Sequence, residues 1–314
     1  MNKKKIKVFV TTNYFCNFDC GYCYLGLLKN DHKIIDADKL NENLKEISLY
    51  YQIEEVTICG GEITLLDINT MVKIIETIKL YTQNIILITN FSDPGIIKSL
   101  KKHKINFSVS LNEERDRYQE TVLNLLMNED KDISLIQVVT PSLIKKAPQI
   151  ILNELQRYGL SVGFIQYSRS LLAKVNYDIS NKEYSDFIKK IIIEYLNGGY
   201  NFELSNIIEL DSCIKENYDP CMENIIYIDP YNKYNSIVFF KDQEHFKPFD
   251  SVKEWQQECL KEKILYQKKC ERCRFYGHCY AEHVKFKDKD DECFGMKSLL
   301  TWYEENIYKN NRSL

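Results

Sequence analysis

The sequence predicts an α/β protein with a parallel sheet covered by helices and closed only part of the way into a barrel. Apolar strand-like runs alternate with amphipathic helix-like segments through the first two thirds of the chain, which is typical of successive β/α units. About six units fit into this stretch, too few for an eight-unit barrel. After about residue 205 this rhythm stops. Cysteines and tyrosines in short irregular segments then indicate a small domain held by metal.

The individual elements are predicted from local patterns. Helical spacing of apolar residues among charges, as in Leu40, Leu44 and Ile47, predicts helices. Continuous apolar runs such as NIILIT predict buried strands. Strands are expected at 6–11, 55–59, 84–89, 106–111, 133–139 and 161–166. Helices are expected at 36–51, 68–81 (capped near Asp67), 94–103, about 142–158 and 182–196.

Composition and charge exclude several classes of protein. Of 314 residues, 44% are hydrophobic and 28% charged, which favours an ordinary globular fold over disorder. The net charge of −3, from 42 basic and 45 acidic residues, argues against non-specific nucleic-acid binding, which needs a basic excess.

The localisation is predicted from the N-terminus and the cysteines. The apolar run Ile6–Val10 is too short for a signal-peptide core or a membrane span, and no later stretch approaches 18 apolar residues. We therefore expect a cytoplasmic protein. Eleven cysteines in a reducing compartment point to metal binding or catalysis rather than disulfides.

Three cysteines lie within eight residues near the start of the chain. Cys16, Cys20 and Cys23 form a CxxxCxxC motif directly after the first predicted strand. In a parallel barrel the active face lies at the C-terminal strand ends. Three thiolates on one loop can bind three irons of a cubane cluster and leave the fourth open. Unrelated thiols and a zinc site are the alternatives. A zinc site would need a fourth ligand, for which Asp19 is the nearest candidate.

A second motif follows the second predicted strand. Gly60-Gly61-Glu62 lies one β/α unit after the cysteine loop and at the same end of the predicted barrel. Paired glycines at a strand end allow a ligand to approach the backbone closely. A glycine pair alone usually marks only a turn. The indication of a ligand site comes from its position at the same end of the predicted barrel as the cysteine loop.

Together the two motifs resemble the radical S-adenosylmethionine (SAM) superfamily over about residues 5–200. The resemblance implies a partial (β/α)6 barrel of the TIM type and a [4Fe–4S] cluster on Cys16, Cys20 and Cys23. It also implies reductive cleavage of SAM to a 5′-deoxyadenosyl radical, which abstracts hydrogen from a substrate. The protein then positions SAM and excludes water and side reactions.

Several further residues match the family's cofactor-binding positions. Gly60, Gly61 and Glu62 correspond to the segment that meets the SAM amino group, and Tyr22 to the aromatic residue that contacts adenine. Other matches are strand-end polar residues, whose alternative reading is ordinary strand-end polarity: Asn90, Ser110, Asn112 (where the family has Asp) and Gln166. At Phe91 the family more often has a glycine.

The C-terminal region carries a second cysteine motif. Cys270, Cys273 and Cys279 form CxxCx5C, and Cys293 follows fourteen residues later. Four such cysteines suit one closed metal site, either zinc or an iron–sulfur cluster. Beside a radical SAM core the pattern is similar to the SPASM extension of peptide-modifying members, which implies an auxiliary [4Fe–4S] cluster.

The extension departs from the full SPASM pattern. His283 stands where the middle motif has its last cysteine, and Phe240 about where the partner of Cys221 is expected. The first auxiliary set is therefore expected to be lost, which makes the extension twitch-like. We predict two clusters, a core barrel at residues 1–205 and an auxiliary-cluster domain at 206–314.

Three other residues are candidates for catalysis. Cys221 or Cys213 is a possible hydrogen-atom donor or cluster ligand, and Asp211 a possible proton acceptor. The alternative is that these cysteines, like Cys259 and Cys59, are buried packing residues.

The resemblance implies modification of a ribosomally made peptide, by a crosslink, a thioether or epimerisation. A radical SAM dehydrogenase or activase, and a zinc-stabilised binding protein, are the alternatives. We expect a precursor peptide as substrate and an external reductant such as flavodoxin or ferredoxin. Because the sequence begins at the first barrel strand, the barrel, the C-terminal domain or a separate leader-recognition protein is expected to bind the precursor.

Overall fold

A computed structural model describes residues 3–128, 132–167, 170, 172–215, 225–237, 246–279, 293 and 295–309. The chain divides into two compact units. The first comprises Met1–Ile133, Ser170–Asn176 and Met222–Lys261, and the second comprises Ser134–Arg169, Tyr177–Cys221 and Glu262–Leu314.

The first unit is built on a mainly parallel sheet. Its strands are β1 (Lys4–Thr11), β2 (Tyr51–Cys59), β3 (Ile85–Thr89), β4 (Asn106–Ser110), β7 (Ile225–Ile228), β8 (Tyr234–Ile237) and β9 (Phe246–Phe249). They lie in the order β4-β3-β2-β1-β7-β8-β9. All pairs from β4 to β7 are parallel, while β8 and β9 are added antiparallel. In β1 the register places Thr11 beside Cys59, so the first two strands end together.

Helices of the first unit follow the strands in sequence. They are α1 (Ala37–Tyr50), α2 (Ile68–Lys79), α3 (Pro94–Leu100) and α4 (Tyr118–Met127). Asp36 and Asp67 cap α1 and α2 by accepting hydrogen bonds from backbone amides of the first turn, as helix N-termini require. The buried faces of α1 and α2 carry the apolar residues expected from the helical period, including Leu40, Leu44 and Ile74.

The second unit combines two parallel strands with helices. Strands β5 (Ile133–Val139) and β6 (Ser161–Gln166) pair in parallel. The helices are α5 (Pro141–Lys145), α6 (Pro148–Gln156), α7 (Asn181–Gly198), α8 (Ser205–Ile214) and α10 (Lys297–Tyr303). Helix α9 (Val252–Cys270) begins in the first unit and ends in the second.

The structure differs from the expected elements in three places. The single helix expected at about 142–158 is two helices, α5 and α6, because Pro148 lacks the amide that would continue the first one. Helix α4 was not predicted from the sequence. The region after residue 205 is more regular than expected, since it contains α8 and three strands, of which β7 extends the sheet beside β1.

The proposed boundary at residue 205 stays a prediction. Within the described part of the chain, no helix combines the length and apolar character needed to cross a bilayer.

Candidate functional site

The loop that carries Cys16, Cys20 and Cys23 starts at the C-terminal end of β1. Its first residues are tied to the end of β2, because Thr12 N donates to the Cys59 carbonyl at 2.9 Å. Asn13 is fully buried, and its side-chain amide donates to the carbonyls of Phe15 (2.7 Å) and Glu62 (3.3 Å). The sequence analysis did not single out Asn13, although it fixes the approach to the cysteines.

Gly60 and Gly61 pack closely against the backbone of Asn13, Tyr14 and Phe15, just before the first cysteine. Gly61 N donates to the Asn13 carbonyl at 2.8 Å, and Glu62 N to the Phe15 carbonyl at 3.0 Å. A Cβ atom on Gly61 would lie 2.2 Å from the Phe15 carbonyl oxygen, and one on Gly60 would lie 2.6 Å from that of Asn13. Both glycines are therefore required by the close approach of the chain to itself. Their contact with the SAM amino group stays a prediction.

Glu62 is buried and joins the ends of β2 and β3. Its carboxylate accepts hydrogen bonds from Thr64 N (3.1 Å), Thr64 Oγ1 (2.8 Å), Thr89 Oγ1 (2.7 Å) and Asn90 N (2.6 Å). These four donors satisfy both oxygens of the carboxylate. Glu62 thus holds the site together, and the prediction that it touches the cofactor stays untested.

Asn90 follows β3 and reaches the cysteine loop. Its side-chain amide donates to Asn17 Oδ1 at 2.9 Å and lies 3.8 Å from Cys16 Sγ. The next residue, Phe91, is buried with φ +61°, a left-handed conformation that is costly for a non-glycine residue. This is the position where the resemblance leads one to expect glycine. The turn persists because the Thr121 hydroxyl and the Asn124 amide bond the carbonyls of Asn90 and Phe91.

The three thiols are half-buried, and the loop's own backbone donates to the sulfurs of Cys16 and Cys23. Cys16 Sγ accepts from Phe18 N at 3.4 Å, and Cys23 N donates to the Cys20 carbonyl at 3.1 Å. Burial is the main cause that raises the pKa of Cys16 to about 11, and it also raises the pKa of Cys23. Thiolate formation here is therefore coupled to a bound cation or cluster.

Asp19 lies within the cysteine loop but points to cations rather than to sulfur. Its carboxylate pairs with Lys174 (2.6 Å) and with Lys29, and the hydrogen bonds from these two lysines lower its pKa. Its amide donates to Asp116 Oδ2 at 3.0 Å. Asp19 is thus engaged by lysines, which weighs against its use as a fourth zinc ligand.

Tyr22, Ser110 and Asn112 belong to the same unit as the cysteine loop. Tyr22 is half-buried, and burial raises its pKa far above the usual value, so its hydroxyl stays protonated. The Ser110 carbonyl accepts a hydrogen bond from the Arg115 guanidinium, and Asn112 is buried with its carbonyl bonded to Arg115 N (3.0 Å).

Burial would lower the pKa of the Arg115 guanidinium, but the neighbouring Tyr22 and Cys20 raise it, and the sequence analysis missed Arg115. The available signal was a basic residue three positions after the Ser-Leu-Asn segment.

The second unit brings the C-terminal cysteines together. Cys273 N donates to the Cys270 carbonyl at 2.8 Å, and Met296 N donates to Cys279 Sγ at 3.5 Å. Burial raises the pKa of Cys279 to about 12, and the negative charges of Cys293, Cys273 and Cys270 raise it further. The four thiols therefore share one electrostatic neighbourhood, as a common metal site requires.

Of the three proposed catalytic residues, two are described. Cys213 is fully buried on α8, and its carbonyl lies 2.7 Å from Nδ1 of His278, the residue before Cys279. Burial, with Cys279 as the next cause, raises the pKa of Cys213. Asp211 accepts a hydrogen bond from Tyr303 Oη at 2.7 Å and lies 3.4 Å from Lys215 Nζ. Cys221 lies outside the described residues, as do His283 and Phe240.

Gln166 lies in the second unit and bonds toward the C-terminal cysteines. Its Nε2 donates to Asn181 Oδ1 at 2.8 Å, and Asn181 Nδ2 donates to the Cys293 carbonyl at 3.3 Å. Asn181 was another residue that the sequence analysis did not identify. The SAM contact predicted for Gln166 stays a prediction.

The donor chemistry fits the groups that the resemblance implies. Three thiols on one loop, surrounded by the Asn90 amide and the Arg115 guanidinium, provide sulfur ligands with hydrogen-bond donors for an anionic cluster. Among the residues the structure describes, no three His, Cys, Asp or Glu side chains form a ready-made site for a metal ion. A cubane is wider than a single ion, so its ligands need not converge on one point.

Part of the chain matches a known family model. Residues 10–132 match the family model of the Radical SAM superfamily, and this segment contains all three loop cysteines and Gly60–Glu62. The chain matches none of the curated proteins.

Solved structures show the same fold at low sequence identity. Native anSMEcpe with bound AdoMet superposes with a TM-score of 0.70 at 16% identity, over 98% of each chain; the complex with AdoMet and the Cp18Cys peptide gives the same values. Streptococcus suis SuiB bound to S-adenosylmethionine gives 0.66 at 16% identity, over 88% of this chain and 72% of SuiB.

The predicted α/β fold with a partial barrel is therefore confirmed, as is the resemblance to the radical SAM superfamily. Residues 10–132 match the radical SAM family model, and members of that family use a [4Fe–4S] cluster and S-adenosylmethionine.

Proposed function

We propose that this enzyme modifies a ribosomally made peptide, with its SAM-binding cluster held by Cys16, Cys20 and Cys23. One observation carries the assignment of these ligands. The cysteine loop is bonded to Gly61 and Glu62 at the end of β2, and to Asn90 at the end of β3. Three strand ends thus fix one thiol-bearing loop at the C-terminal edge of the sheet, where α/β barrels hold their reactants.

The bound groups supply reductive cleavage of SAM, which generates a 5′-deoxyadenosyl radical able to abstract hydrogen. The chain's residues bind and orient. The backbone at Gly60 and Gly61 is assigned to the amino group of SAM, and Tyr22 to its adenine. Asn90, Ser110 and Asn112 are assigned to the remaining polar groups of SAM, as is Gln166. Burial of Thr12, Asn13 and Glu62 beneath the loop keeps water from the base of the site.

The C-terminal cysteines are proposed to hold one auxiliary [4Fe–4S] cluster. Their shared environment supports this, and the Met296 amide on Cys279 supplies a donor to a ligand sulfur. An auxiliary cluster can accept an electron from the substrate radical, which is thereby oxidised, whereas a thiol can return a hydrogen atom to that radical. Both routes remain candidates for this chain, and Cys213 beside Cys279 is the described thiol for the second.

The peptide substrate is proposed from structures that share the fold. One holds anSMEcpe with AdoMet and the Cp18Cys peptide, and another holds SuiB with the precursor peptide SuiA at a TM-score of 0.65. We expect a crosslink, a thioether or an epimerised residue as the product. The electron is expected from an external flavodoxin or ferredoxin. A separate leader-recognition protein and a cytoplasmic location complete the proposal.

The first test counts iron, sulfide and zinc per chain after anaerobic purification and reconstitution. The wild type is expected to hold about eight irons, and the triple variant Cys16→Ala/Cys20→Ala/Cys23→Ala about four. SAM cleavage under reduction should occur only in the wild type. Cys59→Ala is the matched control, because Cys59 is buried on β2 and should leave the iron count unchanged.

Other results have definite meanings. About four irons plus one zinc per chain would mean that the SAM cluster is present and that the C-terminal cysteines hold a structural zinc ion. Absence of iron and of SAM cleavage in the wild type would refute the proposal. The substrate is tested by incubating the reduced enzyme with peptides encoded by short neighbouring reading frames. Mass spectrometry should show loss of hydrogen for a crosslink, or deuterium uptake from solvent for epimerisation.

A further inference from the structure

Two arginines lie over the ring of Phe18, inside the cysteine loop. The guanidinium carbon of Arg115 is 5.4 Å from the ring centroid and that of Arg117 is 5.3 Å. They differ in their other partners. Arg117 is 44% exposed and pairs with Glu120 at 2.5 Å. Arg115 is half-buried and donates to the Ser110 carbonyl, and the neighbouring Cys20 helps to raise its pKa.

One N–H donor of Arg115 is not used in a hydrogen bond. Its Nε atom is buried, and within the described residues it has no hydrogen-bond partner. A guanidinium carries five N–H donors in a fixed fork, and a buried donor without a partner is unfavourable. The unsatisfied donor belongs to a side chain that lies over Phe18, two residues from Cys16 and from Cys20, so an anionic group bound at these cysteines would satisfy it.

We propose that Arg115 is a positioning residue that hydrogen-bonds the Cys20 sulfur of the loaded enzyme and raises the reduction potential of the SAM cluster. The inference rests on the proposed function. A reduced cluster carries one more negative charge than the oxidised one, so a fixed cation beside a ligand sulfur stabilises the reduced form more. Hydrogen bonds to the sulfurs and local charge are two of the factors that set cluster potentials. Partial burial limits the screening of this charge by solvent.

The test is a redox titration of the full-length holoenzyme followed by electron paramagnetic resonance. The signal that changes on addition of SAM identifies the cluster of interest, so the auxiliary cluster can remain in place. Arg115→Met should lower the midpoint potential by about 59 mV, a tenfold change in the oxidised-to-reduced ratio at fixed potential. Arg115→Lys keeps the positive charge but not the planar guanidinium. Its midpoint potential should therefore lie between those of Arg115→Met and the wild type. Arg117→Met should match the wild type.

Each outcome decides the proposal. Equal midpoints for the wild type and both Arg115 variants would overturn it, as would an equal shift in Arg117→Met. A changed dissociation constant for SAM with an unchanged midpoint would also overturn it, by assigning Arg115 to SAM. If Arg115→Met loses iron, the Arg115→Lys midpoint alone decides. Failure of the proposed function shows separately, as a wild type without iron or SAM cleavage.

Discussion

The backbone amide of Asn90 donates a 2.6 Å hydrogen bond to the carboxylate of Glu62. This bond joins the end of β3 to the end of β2. Asn90 in turn donates to Asn17 within the cysteine loop, so the position of the loop depends on the Glu62 carboxylate. Glu62 is thus the centre of the hydrogen-bond network beneath the three cysteines.

Replacing Glu62 by Gln should destabilise the protein and loosen the loop. The amide keeps the shape of the side chain but replaces one acceptor oxygen by an N–H₂ group, which then faces at least one of the four N–H and O–H donors. We expect a loss of about 3 kcal/mol in the free energy of unfolding, measured by urea denaturation of the metal-free chain, and less iron after reconstitution. Exposed Glu42 is the control, since Glu42→Gln should change neither quantity. If Glu62→Gln changed neither the free energy of unfolding nor the iron content, the hydrogen-bond network would be dispensable.

The left-handed backbone at Phe91 predicts an unusual order of stability. Phe91→Gly and Phe91→Ala both lose the buried ring, but only glycine adopts φ +61° without a steric penalty. The glycine variant should be more stable than the alanine variant by about 1 kcal/mol. At Phe107, which is buried on β4, the order should reverse, because glycine weakens a regular strand. The same order at both positions would contradict the assigned backbone conformation.

Gly61→Ala should be strongly destabilising because the methyl group would meet backbone. The nearest atoms are the carbonyl oxygens of Phe15 and Tyr14 at 2.2 and 2.3 Å, and neither can rotate away. We expect a loss of about 3 kcal/mol or more in the free energy of unfolding, together with poor iron incorporation. Gly163→Ala on β6 is the control, since its Cβ would meet Ser205 at an ordinary 3.7 Å. A small effect at Gly61 would show that the cysteine loop moves freely.

The sequence predicted most strands of the sheet because their apolar runs are long and local. NIILIT became β3 and SVGFIQ became β6 almost without change. The C-terminal strand β7 was missed because IIYI is short and is flanked by tyrosines and asparagines. Its place beside β1 depends on a pairing between residues more than 200 positions apart, which no local pattern reveals.

For the site, the motifs located the reactive loop but not the residues that support it. CxxxCxxC and Gly-Gly-Glu are recognised by spacing, whereas Asn13, Asn17 and Arg115 act through contacts that form only when strand ends meet. Glu62 belonged to a recognised motif. Two of its four hydrogen bonds come from Thr64 nearby in the chain and two from the end of β3, and the sequence could not show the second pair.

Stability in alkali should depend on Cys59. Burial raises the pKa of this thiol to about 11, partly offset by a hydrogen bond with Thr11. The folded state holds the proton more tightly than the unfolded state, so this contribution is complete below about pH 9 and is lost as the pH rises toward 11. The wild type should lose roughly 2 kcal/mol more than Cys59→Ala over this interval. Anaerobic urea denaturation of the metal-free chains at several pH values tests this, and parallel curves would contradict it.

The link from Gln166 through Asn181 to Cys293 should appear as coupling in a double-mutant cycle. Gln166→Ala removes one hydrogen bond, whereas Asn181→Ala removes that bond and the one to the Cys293 carbonyl. Asn181→Ala should therefore cost more, about 2 kcal/mol against about 1, and the double variant should show a coupling energy of about 1 kcal/mol. The control pair is Gln166→Ala with Lys189→Ala, since Lys189 bonds Ser298 and Asp186 instead. The effects of these two substitutions on the free energy of unfolding should be additive. Because Cys293 is a proposed ligand, Asn181→Ala should also lower the iron content of the Cys16/Cys20/Cys23 triple variant. Unchanged iron content together with additive free energies would show that the link has no bearing on the auxiliary site.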